Sequence, residues 1–240
     1  MGLFWEAIKQ SLHLIFSGDR YVFQVMLMSL RVSGLATLIS LFIGVPVGTW
    51  LGLKRFRGWT AAAAVINTGL LLPPVVVGLF VYMLLSRAGP LGSLGWLYSV
   101  PAMTLADTLI IAPVIAAITM AAVGSVSKDV RLQALGLGAS RWQTTWLVLR
   151  EARVSLMAGV VAGLGAGISE VGAVQMVGGN LSVAGHNQTG TMTTAIMQLV
   201  GQGQFATAMA LGIILIVFSF VITVILTRTQ QGFRHRWLQS

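Results

Sequence analysis

The sequence predicts an all-α membrane protein with about five crossing helices. Three observations carry that expectation. Of 240 residues, 56% are hydrophobic and 9% charged, whereas soluble domains carry about 25% charged residues. Five segments each offer the roughly 20 apolar residues that a helix needs to cross a hydrocarbon core about 30 Å thick. The 15 Lys and Arg residues gather in the connections between these segments, against six acidic residues in all.

Residues 1–20 precede the first crossing. Glu6, Lys9 and His13 interrupt the apolar run that a signal peptide would need. Trp5, Ile8, Leu12, Ile15 and Phe16 recur at helical spacing, which predicts an amphipathic N-terminal helix in the membrane interface, or else a frayed terminus.

Residues 21–228 form the predicted membrane domain. Its first span covers Val32 to Leu53 and begins upstream near Tyr21. Gly44, Gly48 and Gly52 make a stripe of small residues, extended upstream by Ser40 and Ala36. Such stripes let membrane helices approach closely. The second span, Gly58 to Ser86, is uncharged and carries Pro73-Pro74 near its centre. Proline removes backbone donors and clashes with the preceding turn. The pair is either a structural kink or a break that lines a path. Pro46 and Pro113 are expected to break their spans as well.

The third span, Pro101 to Val123, contains Asp107, expected at an interfacial or N-terminal helix position. The fourth, Val154 to Val177, contains a second stripe at Gly159, Gly163 and Gly167, and then Glu170. A carboxylate at the bilayer centre costs about 2.5–3.5 kcal/mol on insertion scales. Glu170 therefore either bonds to a neighbouring helix end or serves as a gate. The fifth span is Phe205 to Thr227. The glycine stripes pack within one chain or against a second copy; spacing alone leaves both open.

The loops set the direction. Eleven basic residues lie on one side: Lys54, Arg55, Arg57, Lys128, Arg131, Arg141, Arg150, Arg153, Arg228, Arg234 and Arg236. Lys9, Arg20, Arg31 and Arg87 lie on the other. Positive residues stay cytoplasmic, so the N-terminus is expected outside and residues 229–240 form a basic cytoplasmic tail. The net charge of +9 is thus topology. No basic stripe with interleaved aromatics suggests a nucleic-acid partner; lipid is the expected surroundings.

Chemistry-bearing patterns are missing. There is no cysteine, and His13, His186 and His235 are scattered. No nucleophile motif or phosphate-cradling loop is present, and the Gly163–Gly167 run follows no strand. The chain is therefore expected to bind no metal or cofactor and to catalyse nothing itself. It also places no Lys or Arg in the central membrane, so an anion would find a path here and its selection elsewhere.

One charged, glycine-punctuated stretch, about residues 124–153, interrupts the apolar chain. Ser127 can cap a short helix with Asp129 in its first turn. Gly136 and Gly138 allow a reversal, and Ser140 can cap a second helix through Trp142 and Trp146. The product is a short cytoplasmic helix suited to a partner's groove.

This stretch, "LQALGLGASRWQTTWLVLREA", resembles the cytoplasmic loop of permease subunits in ATP-binding-cassette importers. Aligned on Gly138, it has Leu132 and Gln133 in place of the usual Glu and Ala, and Arg150-Glu151 near the place of a later proline. "INTGLLLPPVVVGLFVYMLLSRAGPLG", "GISEVGAVQMVGGN" and "TTAI" are similar to oxyanion importers, most of all to tungstate uptake permeases. The resemblance implies the type I importer permease fold with a coupling helix, in a bacterial or archaeal plasma membrane. It implies a second permease copy, an ATPase dimer holding ATP and Mg, and an extracytoplasmic oxyanion-binding protein. It further implies that Gln133, Ala134, Gly136, Gly138, Ala139, Ser140 and Arg141 couple to the ATPase. Pro73, Pro74, Ser169, Glu170 and Gly172 become candidates for the translocation path or gate. Molybdate or sulfate transport, and an ATP-independent channel or carrier, are the alternatives.

Overall fold

The computed structural model describes residues 18–183 and 186–235, together with Trp5, Ile8, Lys9, Leu12 and His13, and side chains through Arg228. Twelve of the 20 residues of the predicted amphipathic segment 1–20, Ile15 and Phe16 among them, lie outside the described residues; Trp5, Ile8 and Leu12 are helical. Among the described residues, ten α-helices make up most of the rest. They are α1 (Arg20–Leu53), α2 (Trp59–Gly69), α3 (Pro74–Leu85), α4 (Val100–Ser125), α5 (Lys128–Gly136), α6 (Arg141–Glu151), α7 (Arg153–Ser169), α8 (Gly172–Gly178), α9 (Met192–Gly201) and α10 (Phe205–His235). A two-stranded antiparallel hairpin, β1 (Ser182–Val183) and β2 (His186–Asn187), joins α8 to α9.

Helices α1, α4 and α10 are each long and apolar enough to cross a membrane unaided. Two further crossings are bent. α2 and α3 meet at 96°, and α6 and α7 at 65°. The second predicted span is therefore not one kinked helix but two helices nearly at right angles. The fourth stops early: α7 ends at Ser169, and α8 starts afresh at Gly172. Pro46 and Pro113 do not break their helices, which run through both. Membrane helices tolerate proline where neighbouring structure satisfies the freed groups; Pro113 lies against Gly69 of α2.

The surface is inverted relative to a soluble protein. Phe42 and Leu71 are each 82% exposed, while the interior holds Ser29, Ser33, Thr37 and Ser40 of α1. Ser40 donates to the Thr108 carbonyl of α4 at 3.3 Å, and Thr37 to its own helix at Ser33.

Both glycine stripes face α4 within this one chain. A Cβ on Gly44 would lie 2.9 Å from the Ala112 carbonyl, and one on Gly52 2.8 Å from that of Met120. At Gly48 it would collide with the Ala116 carbonyl and lie 2.7 Å from Thr119 Cβ. From the opposite side, α7 sets Gly163 and Gly167 against Ile111, and Gly159 against Ile118. α4 is thus clasped between α1 and α7. Smaller clusters complete the core: Val32, Val81, Met103, Ala173 and Val177 join α1, α3, α4 and α8, and Val25, Met192 and Leu211 join α1, α9 and α10.

Gly48→Ala should lower stability by about 1–3 kcal/mol, because backbone atoms cannot move aside as a side chain would. Gly165→Ala, with nothing within 4 Å of the new methyl, should leave stability unchanged or raise it. Thermal unfolding of both variants in detergent checks the contrast.

Candidate functional site

Two places concentrate the predicted site residues. The first is the turn between α5 and α6, at the end of the bundle rich in Lys and Arg. Ser127 caps α5, its Oγ accepting from the Asp129 N–H at 3.1 Å. α5 contributes no buried residue; Leu132, Leu135 and Leu137 are all exposed, Leu137 by 90%. The helix ends in a Schellman arrangement: the Ala139 N–H donates to the Ala134 carbonyl at 3.0 Å, around Gly138 at φ +85°. Only glycine takes that conformation freely. Gly136 has no such role, being the last residue of α5.

Ser140 then opens α6 with a complete capping box. The Gln143 N–H donates to Ser140 Oγ at 3.3 Å, and the Ser140 N–H donates to Gln143 Oε1 at 2.7 Å. α6 packs by Thr144 and Val148 and leaves Trp142 and Trp146 exposed. It bends by 65° into α7 rather than running straight into the span. Gln133, Gly136, Gly138, Ser140 and Arg141 are all exposed, with Ala134 and Ala139 half-buried. The predicted coupling residues therefore form one protruding knob.

Arg131 was not among the predicted coupling residues. Its guanidinium turns back from α5, and Nη2 donates to the Val123 carbonyl and, at 3.3 Å, to the Val126 carbonyl at the end of α4. No sequence pattern announces this bond, because it joins residues across the loop into α5.

The second place is the pair of helix breaks. Pro73 is the N-cap of α3 and Pro74 its first residue. At that position the missing N–H costs nothing and the fixed φ suits the helix start. α3 then packs on α8 almost backbone to backbone: a Cβ on Gly78 would lie 2.6 Å from Ala173 Cα, and one on Gly172 2.6 Å from a Val75 methyl. Gly172 so lies against Val75, the residue after Pro74. Glu170 sits in the break between α7 and α8, 8% exposed. Its Oε1 accepts from the Ala173 N–H at 2.9 Å, and its carbonyl accepts from Thr193 Oγ1 at 2.7 Å. Of the two sequence alternatives, the bond to a helix end is present. Ser169 parts from this group, lining instead a cavity of about 190 Å³ between α7 and α10.

Asp107 takes the second of its two expected placements, toward the N-terminal end of α4. It lies in the second turn of α4, 1% exposed, and neither carboxylate oxygen has a hydrogen-bond partner. Burial follows from the α1 and α7 packing around α4, which a single span cannot reveal.

A polar network beyond Glu170 also escaped the sequence reading. The Met192 N–H donates to Ser29 Oγ at 2.8 Å, the Asn187 N–H to Gln24 Oε1 at 3.3 Å, and Thr189 Oγ1 to the Gly178 carbonyl at 2.6 Å. Thr191 caps α9 with a box closed by Thr194. Asn180, at φ +50°, bonds to Gln198. The density of Thr, Asn and Gln between 187 and 198 was the available signal. Among the described residues, no group of three His, Asp or Glu residues is placed to hold a metal.

Comparison with known proteins places this architecture. Residues 44–235 match the family described as the binding-protein-dependent transport system inner membrane component, and the chain belongs to that family. A probable anion ABC transporter permease of Haloferax volcanii is 39% identical over 197 residues, covering 82% of this chain and 85% of the relative. A tungstate uptake system permease of Peptoclostridium acidaminophilum is 34% identical over 226 residues, covering 94% and 97%. A bacterial alginate ABC transporter gives a TM-score of 0.75 at 21% identity, covering 95% and 86% of the two chains. The methionine ABC transporter MetNI, inward-facing, gives 0.74 at 18%, covering 89% and 97%. The fold is that of a type I importer permease, and the chain is a multi-pass inner-membrane protein.

Glu170→Leu leaves the Ala173 N–H without an acceptor and should cost about 1–3 kcal/mol. Glu170→Gln keeps an oxygen in place and should cost less. Denaturant unfolding in detergent, run on both, measures the difference.

Proposed function

We propose that this chain is the permease subunit of an ATP-driven importer and forms the translocation path for an oxyanion, tungstate foremost. The observation that carries the reading is the exposed, doubly capped knob at Gly138, on a bundle of this family. A turn so rigid, with apolar side chains facing outward, is suited to a groove in another protein. The relatives named for anion and tungstate transport support the substrate class. Relatives named for molybdenum and sulfate transport belong to the same circle, so selection among tetrahedral oxyanions is assigned to a separate binding protein.

The basic end faces the cytoplasm in this reading, because Lys and Arg are retained there. The knob residues Gln133, Ala134, Gly136, Gly138, Ala139, Ser140 and Arg141 then sit against an ATPase subunit, which holds the ATP and Mg. Two permease copies enclose the path. Pro73, Pro74, Glu170 and Gly172, at the paired helix breaks, act as its gate, and Ser169 borders it from the α7–α10 side. Closure of the ATPase biases the two copies toward one of two rigid-body arrangements. The chain itself hydrolyses nothing.

With cysteine at Gly138, a short cross-linker should join the permease to the ATPase subunit; labelling by lipid-soluble reagents alone would contradict the docking. Gly138→Trp should insert and fold but lose tungstate uptake into proteoliposomes, by about tenfold or more where coupling is cut by more than about 1.4 kcal/mol. Uptake at the wild-type rate would contradict the reading.

A further inference from the structure

α5 is held to the bundle by very little. It buries none of its residues, and its leucines point outward. Yet any load applied to the knob must reach α4, the helix that α1 and α7 both clasp. Val130, Arg131 and Ala134 are the half-buried residues of α5, and of these Arg131 carries a polar side chain. Its Nη2 donates to the Val123 and Val126 carbonyls. These belong to the last turn of α4 and its cap, where carbonyls have no partner within the helix and where a cation is favoured.

The grip falls on a fixed point. Val123 is fully buried, and its side chain lies where a Cβ on Gly52 of α1 would be, at 2.9 Å. With Ala122 it also packs against Val148 and Ala152, at the bend between α6 and α7. One guanidinium thus reaches the junction of three helices that all touch α4. Arg131 Nε is buried there too, without an acceptor, so the side chain is committed to this pocket at some expense. The two hydrogens of Nη2 are held in the guanidinium plane and can serve both carbonyls, whereas the hydrogens of a lysine ammonium are not fixed in this way.

We propose that Arg131 is a positioning residue that ties the knob to α4, so that displacement of α5 is delivered to the membrane helices. This rests on the reading of the knob as the ATPase contact. Without the tie, the ATPase still docks at Gly138, but its motion is taken up by bending between α5 and α4.

The test uses the permease assembled with its ATPase and binding protein in liposomes, with tungstate as probe. It compares Arg131→Met, Arg131→Lys and Ser125→Ala, the last removing another side-chain bond at the end of α4, from Ser125 Oγ to the Ala122 carbonyl. Arg131→Met should keep ATP hydrolysis and lower tungstate moved per ATP by about tenfold. Arg131→Lys should restore part of that ratio, and Ser125→Ala should leave it unchanged. A wild-type ratio in Arg131→Met would overturn the proposal, as would an equal loss in Ser125→Ala, which would mean that capping alone matters. Should Arg131→Met fail to assemble, Arg131→Lys decides: a reduced ratio in an intact complex supports the tie, and a wild-type ratio refutes it. Failure of the ATPase to contact Gly138 in the wild type would instead sink the docking reading.

Discussion

Where α1 crosses α4 there is no room for a side chain. At Gly44, Gly48 and Gly52 the backbone of one helix lies against carbonyls and amides of the other. α7 presses on the far side at Gly159, Gly163 and Gly167. In lipid, apolar surface gives helices no reason to associate, so close backbone packing has to supply the attraction. The clasp fixes α4 as a central strut. It buries Asp107, aligns Ser40 with Thr108, and sets the end of α4 where Arg131 can reach it.

The paired breaks follow a different logic. A helix that stops within a membrane exposes carbonyls and amides that lipid cannot satisfy. Here the two stops face each other. α3 begins at Pro74, whose missing donor is harmless in that position, and α8 begins beneath the Glu170 carboxylate, which takes up the Ala173 N–H. Gly78 and Gly172 let the two short helices touch. Hydroxyls meet further polar backbone: Thr193 of α9 donates to the Glu170 carbonyl, and Ser29 of α1 accepts from the Met192 N–H. Irregular backbone at this depth is tolerated where protein or a water-filled cavity surrounds it.

How much of this was legible in the sequence depended on range. The Ser140 and Ser127 caps are set by residues two or three apart, and both were readable; the box that Gln143 closes on Ser140 was not read. The glycine stripes were readable as stripes, but their partner was not, because spacing on one helix does not say which helix it meets. The break at Glu170 was hidden in a run that is apolar on both sides. Pro73-Pro74 announced a break, but its 96° bend is set by α3 resting on α8. α9, ten residues long, is too short for a pattern based on membrane thickness. Pro46 and Pro113 misled because proline in a packed membrane helix need not end it.

If the knob and the strut move as one body, their separation must survive the transport cycle. The most direct measurement is an interspin distance in the assembled transporter, with labels at Leu137 on the knob and Leu109 on α4 of one copy; both side chains are exposed, by 90% and 39%. The distance should be the same to within about 2 Å with and without ATP, in samples where ATP closes the ATPase. A change of about 5 Å, the size of a one-turn slip between packed elements, would show that the knob moves without the strut and would contradict the account.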